Sequence, residues 1–345
     1  MSELHRAELH DDERRAAVAA AKAGDEAGFV ELIERHRRAL QLHCYRMLGN
    51  FEESEDMVQE TLLRAWRKRA SFEGRSSLRG WLYRIATNAC LDALRQRPRQ
   101  VVRHEAITAG DAAAGAPAEI PWLQPYPDQL LEEAVSAELQ PDDAVVARET
   151  VELAFLVAIQ HLPPSQRATL ILRDVLGWSA KETASLLETS VASANSALQR
   201  ARTTMHDQLP PQRTEWTAPA PTEHERALLQ RYIDAHERAD SQAVIEMLHE
   251  QARFTMPPEP TLYDGRDAVA AFFRDAFGEG APGDFRLVPT YANRQLAAAN
   301  YVRAPGDTEY RALSLDVLRF EDGRIAEITT FESKLFPAFG LAPSL

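Results

Sequence analysis

Apolar positions recur at three- and four-residue intervals from about residue 24 to 99, most clearly in FVELIERHRRALQLHCYRML, which predicts nearly continuous helix. A second helix is expected from about Glu52 to Arg69, and a third from about Leu78 to Arg97, stopped by Pro98. The period breaks from about 104 to 127, HEAITAGDAAAGAPAEIPWLQPYP, where Ala, Gly and Pro predict a linker. Helices resume at about 142 and run to about 208, and PPQRTEWTAPAPTE then separates them from a part with different grammar. From about 223, the helical stretches HERALLQRYIDAHERAD and SQAVIEMLHE precede a strand ARFTMP and a helix RDAVAAFFRDAF. Alternating strands FRLVPTYA, QLAAANYVR and YRALSLDVLRFEDGRIAEITTFES follow, the last folded at Asp322-Gly323. Helices followed by antiparallel strands predict an α+β layered domain.

Composition sets the scale of this plan. A chain of 345 residues, 45% hydrophobic and 26% charged, has room for two or three globular domains. No run of about 18 apolar residues occurs, and MSELHRAELHDDERR is charged where a signal peptide is apolar. A cytoplasmic protein without a membrane partner is expected. Cys44 and Cys90 fall inside amphipathic helical patterns with no ligand spacing, so they are expected as core thiols. The ten histidines show no metal spacing. GEGAPG, from Gly278 to Gly283, follows a helix and puts Pro282 where a dinucleotide-binding helix would start, so it reads as a loop. Neither a cofactor nor a metal nor a catalytic constellation is expected.

The formal net charge of −13 is unevenly spread. Between Met57 and Arg103 eleven basic residues stand against three acidic ones, a candidate phosphate-binding surface. From His104 to Glu149 the sign inverts, ten acidic residues facing Arg148.

The segment richest in local signals is GWSAKETASLLETSVASANSALQRAR, Gly177 to Arg202. Ser179 and Glu182 form an S-x-x-E capping box that fixes the start of a first short helix. Thr183, Ala184 and Leu187 are expected on its buried face, and Val191, Ala194 and Leu198 on that of the next helix, which Ser190 caps. This leaves Ser193, Asn195, Ser196, Gln199, Arg200 and Arg202 outward. Asn, Gln and Arg make bidentate contacts to base edges, and Ser and Arg serve phosphates. On pattern alone the segment is either a DNA-reading helix-turn-helix or a solvated helix of an all-helical core. Glu188 stands where such a turn commonly has glycine.

With these residues in view, HLPPSQRATLILRDVLGWSAKETASLLETSVASANSALQRAR resembles region four of the bacterial extracytoplasmic-function sigma factors. EDMVQETLLRAWRKRASFEGRSSLRGWLYRIATNACLDALRQR resembles region two of the same family, and the order is the family's. The resemblance implies an RNA polymerase sigma factor, not an enzyme, with the polymerase core (β′ clamp and β flap) and promoter DNA as partners. It divides the chain into an extension at 1–23, region two at 24–100, an acidic linker at 101–141, region four at 142–209, a Pro-rich linker at 210–222 and a further domain at 223–345.

In DMVQETLLRAWRK, Val58, Leu62, Ala65 and Trp66 define an apolar face. The opposite face, Asp56, Gln59, Glu60, Leu63 and Arg67, is implied to dock on the polymerase clamp. In SFEGRSSLRGW, Phe72, Arg75, Ser76, Ser77 and Trp81 are the candidates for holding an unstacked base of the −10 element. Phe72 and Trp81 have core positions as their alternative. Arg84, Asn88, Arg95 and Arg97 lie on or near one face of the following helix and suit the phosphates and edges of the melting −10 region. The ligands expected for −35 DNA are Ser193, Asn195, Ser196, Gln199, Arg200 and Arg202. Where many relatives have an Arg-Ser-Arg cluster, this chain has Asn195, Ser196 and Ala197, which implies weaker −35 binding. The family linker threads the polymerase's RNA exit channel, where carboxylates imitate RNA; charge-solubilised disorder is the alternative.

ARFTMPPEPTLYDGRDAVAAFF resembles the SnoaL-like branch of the NTF2-like superfamily, a cone of sheet and helices around a pocket. The expected architecture is therefore multidomain: two all-α sigma domains, a helical bundle and a helix-turn-helix, followed by an α+β NTF2-like cone. In sigma factors that carry it, the resemblance implies that this domain modulates the other two. A small ligand or intramolecular docking are its candidate partners, and Trp122, Leu123, Pro125 and Tyr126 of IPWLQPYPDQLL are the candidate docking handle. Asp234, Asp316 and His249 show no catalytic spacing. A ligand-controlled repressor, which would not need the region-two block, and an enzyme with an incidental helical domain are the competing classes.

Overall fold

The computed structural model describes residues 23–72, 74, 77–96, 105–107, 120–138, 152–208, 220–259, 261–278 and 281–345, together with 12, 15, 16 and 18–20. The chain divides into two compact units, one of residues 1–99 and 130–217, the other of residues 100–129 and 218–345.

The first unit is helical. Asp25 caps α1 (Glu26–Glu34) by accepting from the Gly28 amide, and α2 (Arg37–Leu48) ends at Gly49, whose φ of 72° closes the helix in the left-handed region. The Asn50 side chain then accepts from Glu53 N and starts α3 (Phe51–Lys68). Helix α4 (Leu78–Gln96) completes the bundle. Every residue of α2 from Ala39 to Leu48 is buried, including Gln41, His43 and Arg46. The apolar period predicts one buried stripe, and the structure buries the helix all round because α6 (Leu153–Gln160) and α7 (Pro164–Leu170) cover the side that α3 and α4 leave open.

That cover is polar as well as apolar. Arg167 is buried and its guanidinium donates to the Met47 carbonyl and the Gln160 side-chain oxygen, both at 2.5 Å, and to the Gln160 carbonyl at 2.7 Å. Gln160 Nε2 in turn donates to the Arg46 carbonyl at 3.2 Å. A cation and an amide thus satisfy carbonyls at the C-terminal end of α2, where the helix leaves acceptors unpaired and its dipole is negative. Around this seal one apolar core runs from Phe29, Leu40 and Leu82 through Ile159 and Leu170 to Leu198 and Met205. The chain passes from α7 through a π-helical turn (Ile171–Val175) into α8 (Ala180–Leu186) and α9 (Val191–Gln208).

The second unit is built on a seven-stranded sheet in the order β1-β3-β2-β7-β6-β5-β4. Helices α10 (Glu223–Glu237) and α11 (Ser241–Met247) lead into β2 (Leu248–Thr255), β3 (Thr261–Asp264) and α12 (Arg266–Ala276). The antiparallel meander β4 (Asp284–Ala292), β5 (Gln295–Arg303), β6 (Arg311–Glu321) and β7 (Arg324–Glu332) closes it, followed by a 3₁₀ helix at Ser333–Phe339. The Asp322-Gly323 turn has both residues at positive φ, as that pair predicts. The β4–β5 turn carries the same geometry on Asn293 and Arg294, at 54° and 62°, a turn that sequence composition does not announce. The strand TLYD and the terminal 3₁₀ helix are absent from the sequence reading: the strand is four residues long, too short to show a period.

The stretch read as a structureless linker is partly folded. Glu105–Ile107 forms β1, parallel to β3 at one edge of the sheet. Leu123 to Pro127 are buried in the same unit, and Pro127 bridges Ala292 at the other edge. Tyr126 N donates to Asn293 Oδ1 at 2.7 Å, Asn293 N to the Tyr126 carbonyl at 3.0 Å and Arg294 N to Asp128 Oδ1 at 2.8 Å. The docking handle is thus held by the positive-φ turn, whose two amides find their acceptors in it. Helix α5 (Asp128–Glu138) follows, earlier than the resumption expected at about 142.

Candidate nucleic-acid interface

Helix α8 starts on the predicted capping box: Glu182 N donates to Ser179 Oγ at 3.2 Å, and Ser179 N to the Glu182 carboxylate at 2.8 Å. Those bonds hold the Glu182 carboxyl below its ordinary range. Its buried residues are Thr183, Ala184 and Leu186, whereas Leu187 is half-buried. Ser190 caps α9, its Oγ accepting from Ser193 N at 3.0 Å. Ala194, Leu198, Ala201 and Met205 form the inner face of α9. Val191, expected inside, is 44% exposed: at the first turn it precedes the point where the helix meets its neighbours.

Ser193, Asn195, Ser196, Gln199, Arg200 and Arg202 are all exposed, on one helix whose opposite side is core. Arg202 is tied down: its Nε and Nη2 meet the two Asp174 oxygens at 2.9 and 2.7 Å, which raises its pKa further. Sequence spacing does not show Asp174, because it lies in the π-helical turn 28 residues earlier.

On α3, Asp56, Gln59, Leu63 and Arg67 are exposed and Glu60 half-buried, while Val58, Leu62 and Ala65 face the core. Leu63 is 42% exposed, an apolar side chain inside a charged row. Glu60 accepts from Arg64 at 2.6 Å, and Asp92 accepts from both Arg64 and Arg95 at 3.1 Å. Part of the basic excess is therefore neutralised within the bundle, and Arg69 lies over the Trp66 ring at 3.6 Å.

Among the −10 candidates, Arg75, Ser76 and Arg97 lie outside the described residues. Phe72 is buried and stacks on Trp81 at 5.1 Å, and Trp81 is half-buried against Phe29, so Phe72 takes the core position of its two alternatives. Ser77 is exposed and accepts from Gly80 N at 3.0 Å. Arg84 and Asn88 are half-buried on α4, Arg95 exposed near its end. Arg84 Nη2 donates to the Ser185 carbonyl of α8, and Tyr83 stacks on Trp178 at 5.9 Å. The structure thus joins the α4 face to the α8–α9 hairpin, a contact between residues 101 apart that no local pattern encodes.

Comparison with known proteins fits this arrangement. The Sigma-70 region 2 family matches residues 32–100, Sigma-70 region 4 residues 152–205 and the SnoaL-like domain residues 229–328. The ECF RNA polymerase sigma factor SigG of Mycobacterium tuberculosis is 42% identical over 323 residues, covering 92% of this chain and 85% of that protein. SigJ of the same species is 27% identical over 308 residues, 87% and 90% of the two chains. The crystal structure of the M. tuberculosis extracytoplasmic function sigma factor SigJ matches with a TM-score of 0.56 at 21% identity, covering 91% of this chain and 100% of that one, a likeness of fold.

Proposed function

Because the chain belongs to the extracytoplasmic-function RNA polymerase sigma factors, we propose that its α9 face reads the −35 element, its α3 row docks on the β′ clamp and its α4 face meets the −10 element. It binds core polymerase and promoter DNA and directs initiation; we assign it to the cytoplasm, where both partners are. The observation that carries the residue roles is the exposed row from Ser193 to Arg202 set on a helix that Ser190 caps and a single core holds. Ser77, Trp81, Arg84, Asn88 and Arg95 are the −10 contacts on this reading, with Arg75, Ser76 and Arg97 joining them, while Phe72 supports the ring of Trp81 from the core.

The two reading faces share a core in the structure, with Arg84 on Ser185. Elements centred at −10 and −35 lie about 25 base pairs apart, roughly 85 Å at about 3.4 Å per pair. Promoter engagement therefore requires the α4 and α9 faces to part, and the C-terminal domain modulates how readily they do.

Run-off transcription from a promoter library, with core polymerase and either the full chain or a chain ended near Leu209, tests the reading. Promoter-specific transcripts that Gln199→Ala reduces about fivefold or more are expected, as one bidentate base contact is worth about 1–3 kcal/mol. The ratio between the two chains gives the sign of the C-terminal control. Duplex binding without any initiation would replace the sigma reading by a repressor.

A further inference from the structure

The second unit holds a half-open cavity of about 280 Å³ between the sheet and α10 and α12. Five phenylalanines, Phe254, Phe272, Phe273, Phe277 and Phe285, wall it, with ring centroids 4.4 Å apart for Phe254 and Phe272 and 5.6 Å apart for Phe277 and Phe285. Its floor is polar. Asn300 on β5 pairs with Ser314 on β6, and Asp316, two residues along β6, pairs with Thr330 on β7, so these side chains share one patch of sheet.

The chemistry of that patch leans towards acceptors. Asp316 is 5% exposed and its carboxylate accepts from Tyr232 Oη at 2.8 Å and Thr330 Oγ1 at 2.7 Å. Asn300 spends its amide nitrogen on Ser314 Oγ at 2.9 Å, which leaves Oδ1 buried without a hydrogen-bond partner. His236 Nδ1 lies 2.9 Å from the Tyr232 carbonyl, an acceptor, so Nδ1 carries the proton and Nε2 is an acceptor. Burial lowers the His236 pKa against the pull of Asp316, and the ring stays neutral. The groups left for an occupant are mostly acceptors, Asn300 Oδ1, His236 Nε2 and the remaining lone pairs of Asp316, beside the Ser314 hydroxyl proton and the second Asn300 amide hydrogen. Among the described residues lining the cavity, none is a lysine or an arginine.

A buried carboxylate without a cation calls for one, and a wall of aromatic rings attracts a cation through the ring quadrupoles. A primary ammonium has three donors and no acceptor, the complement of this floor. The volume, at the lower edge of the roughly 300–1,000 Å³ of drug-sized sites, suits one or two fused rings. We propose that this cavity is a binding site for an arylalkylamine, its ammonium on Asp316, Asn300 and His236 and its ring among the phenylalanines.

The test is calorimetric titration of the full chain with tryptamine, the alcohol tryptophol and the anion indole-3-acetate, which share a ring system and differ in the terminal group. Tryptamine is expected to bind at least about tenfold more tightly than tryptophol, because a hydrogen-bonded charge pair outweighs a neutral one. Indole-3-acetate is expected to be the weakest. Asp316→Asn should bring tryptamine down to the affinity of tryptophol. Equal binding of amine and alcohol, preference for the anion, or no binding of any of the three overturns the proposal. If Asp316→Asn does not fold, the ranking on the unmodified chain still decides. The measurement is independent of promoter activity, so its failure leaves the sigma assignment untouched.

Discussion

His43 lies wholly inside the helical unit, and its chemistry follows from what surrounds it. Thr87 Oγ1 donates to the Tyr83 carbonyl at 2.7 Å, so the 2.9 Å contact with His43 Nε2 is a donation from the ring. Burial, then repulsion by Arg46 and Arg79, pushes its pKa down to about 3. The folded-state value is depressed, so on acidification the unfolded chain takes the proton first. The stability His43 contributes is present above about pH 6.5 and is lost as pH falls towards 3. Between pH 7 and pH 5 the loss is about 2 kcal/mol. Thermal melts should move to lower temperature over that interval, and His43→Gln should flatten the decline; an unchanged slope in the variant would show that other groups carry it. No sequence pattern singles out His43, whose partners Tyr83 and Thr87 come from α4, about forty residues further on. Glu188 was legible as the residue in a glycine position and does take a φ of 52°, which a glycine adopts without strain.

At the scale of elements, the caps were readable and the pairings between elements were not. Ser179, Glu182 and Ser190 act over three residues, so the start of α8 and the start of α9 are written locally. The outward row of α9 follows from the 3.6-residue period once the helix begins. Its electrostatic state does not, since Asp174 clamps Arg202 from another element. Asp174→Asn should release that guanidinium for a phosphate. The slope of log affinity against log salt, measured for holoenzyme on an active promoter, should steepen by about one. An unchanged slope would mean that Arg202 faces away from the backbone of bound DNA. Strand β3 was invisible because it is too short for alternation; the Asn293-Arg294 turn falls in the gap between two strands that were read, but its geometry was not legible, since a buried Asn293, hydrogen-bonded to Tyr126, stands in place of glycine.

For the molecule as a whole, the order of the two helical blocks and the layered domain could be read from period and punctuation. The fate of the segment between the blocks could not, because its order comes from a distant sheet and not from any period of its own. Tyr126 is fully buried there, with Asn293 bonded to both sides of its backbone. Tyr126→Ala should cost about 3–5 kcal/mol of docking and expose the chain near residues 120–127 to limited proteolysis, with fragments identified by mass. Resistance equal to the parent would show that the backbone bonds suffice.

Pinning residues 105–107 at one sheet edge and 123–128 at the other has a consequence for reach. The connection from α4 to α6 thus lends two of its pieces to the sheet that follows it in the chain. Fully drawn out, at about 3.6 Å per residue, the stretch from 105 to 128 would span roughly 85 Å. Undocking the middle would lengthen the leash between the halves without breaking a covalent bond; on the proposed reading, the C-terminal domain would then set the spacer length a promoter can have.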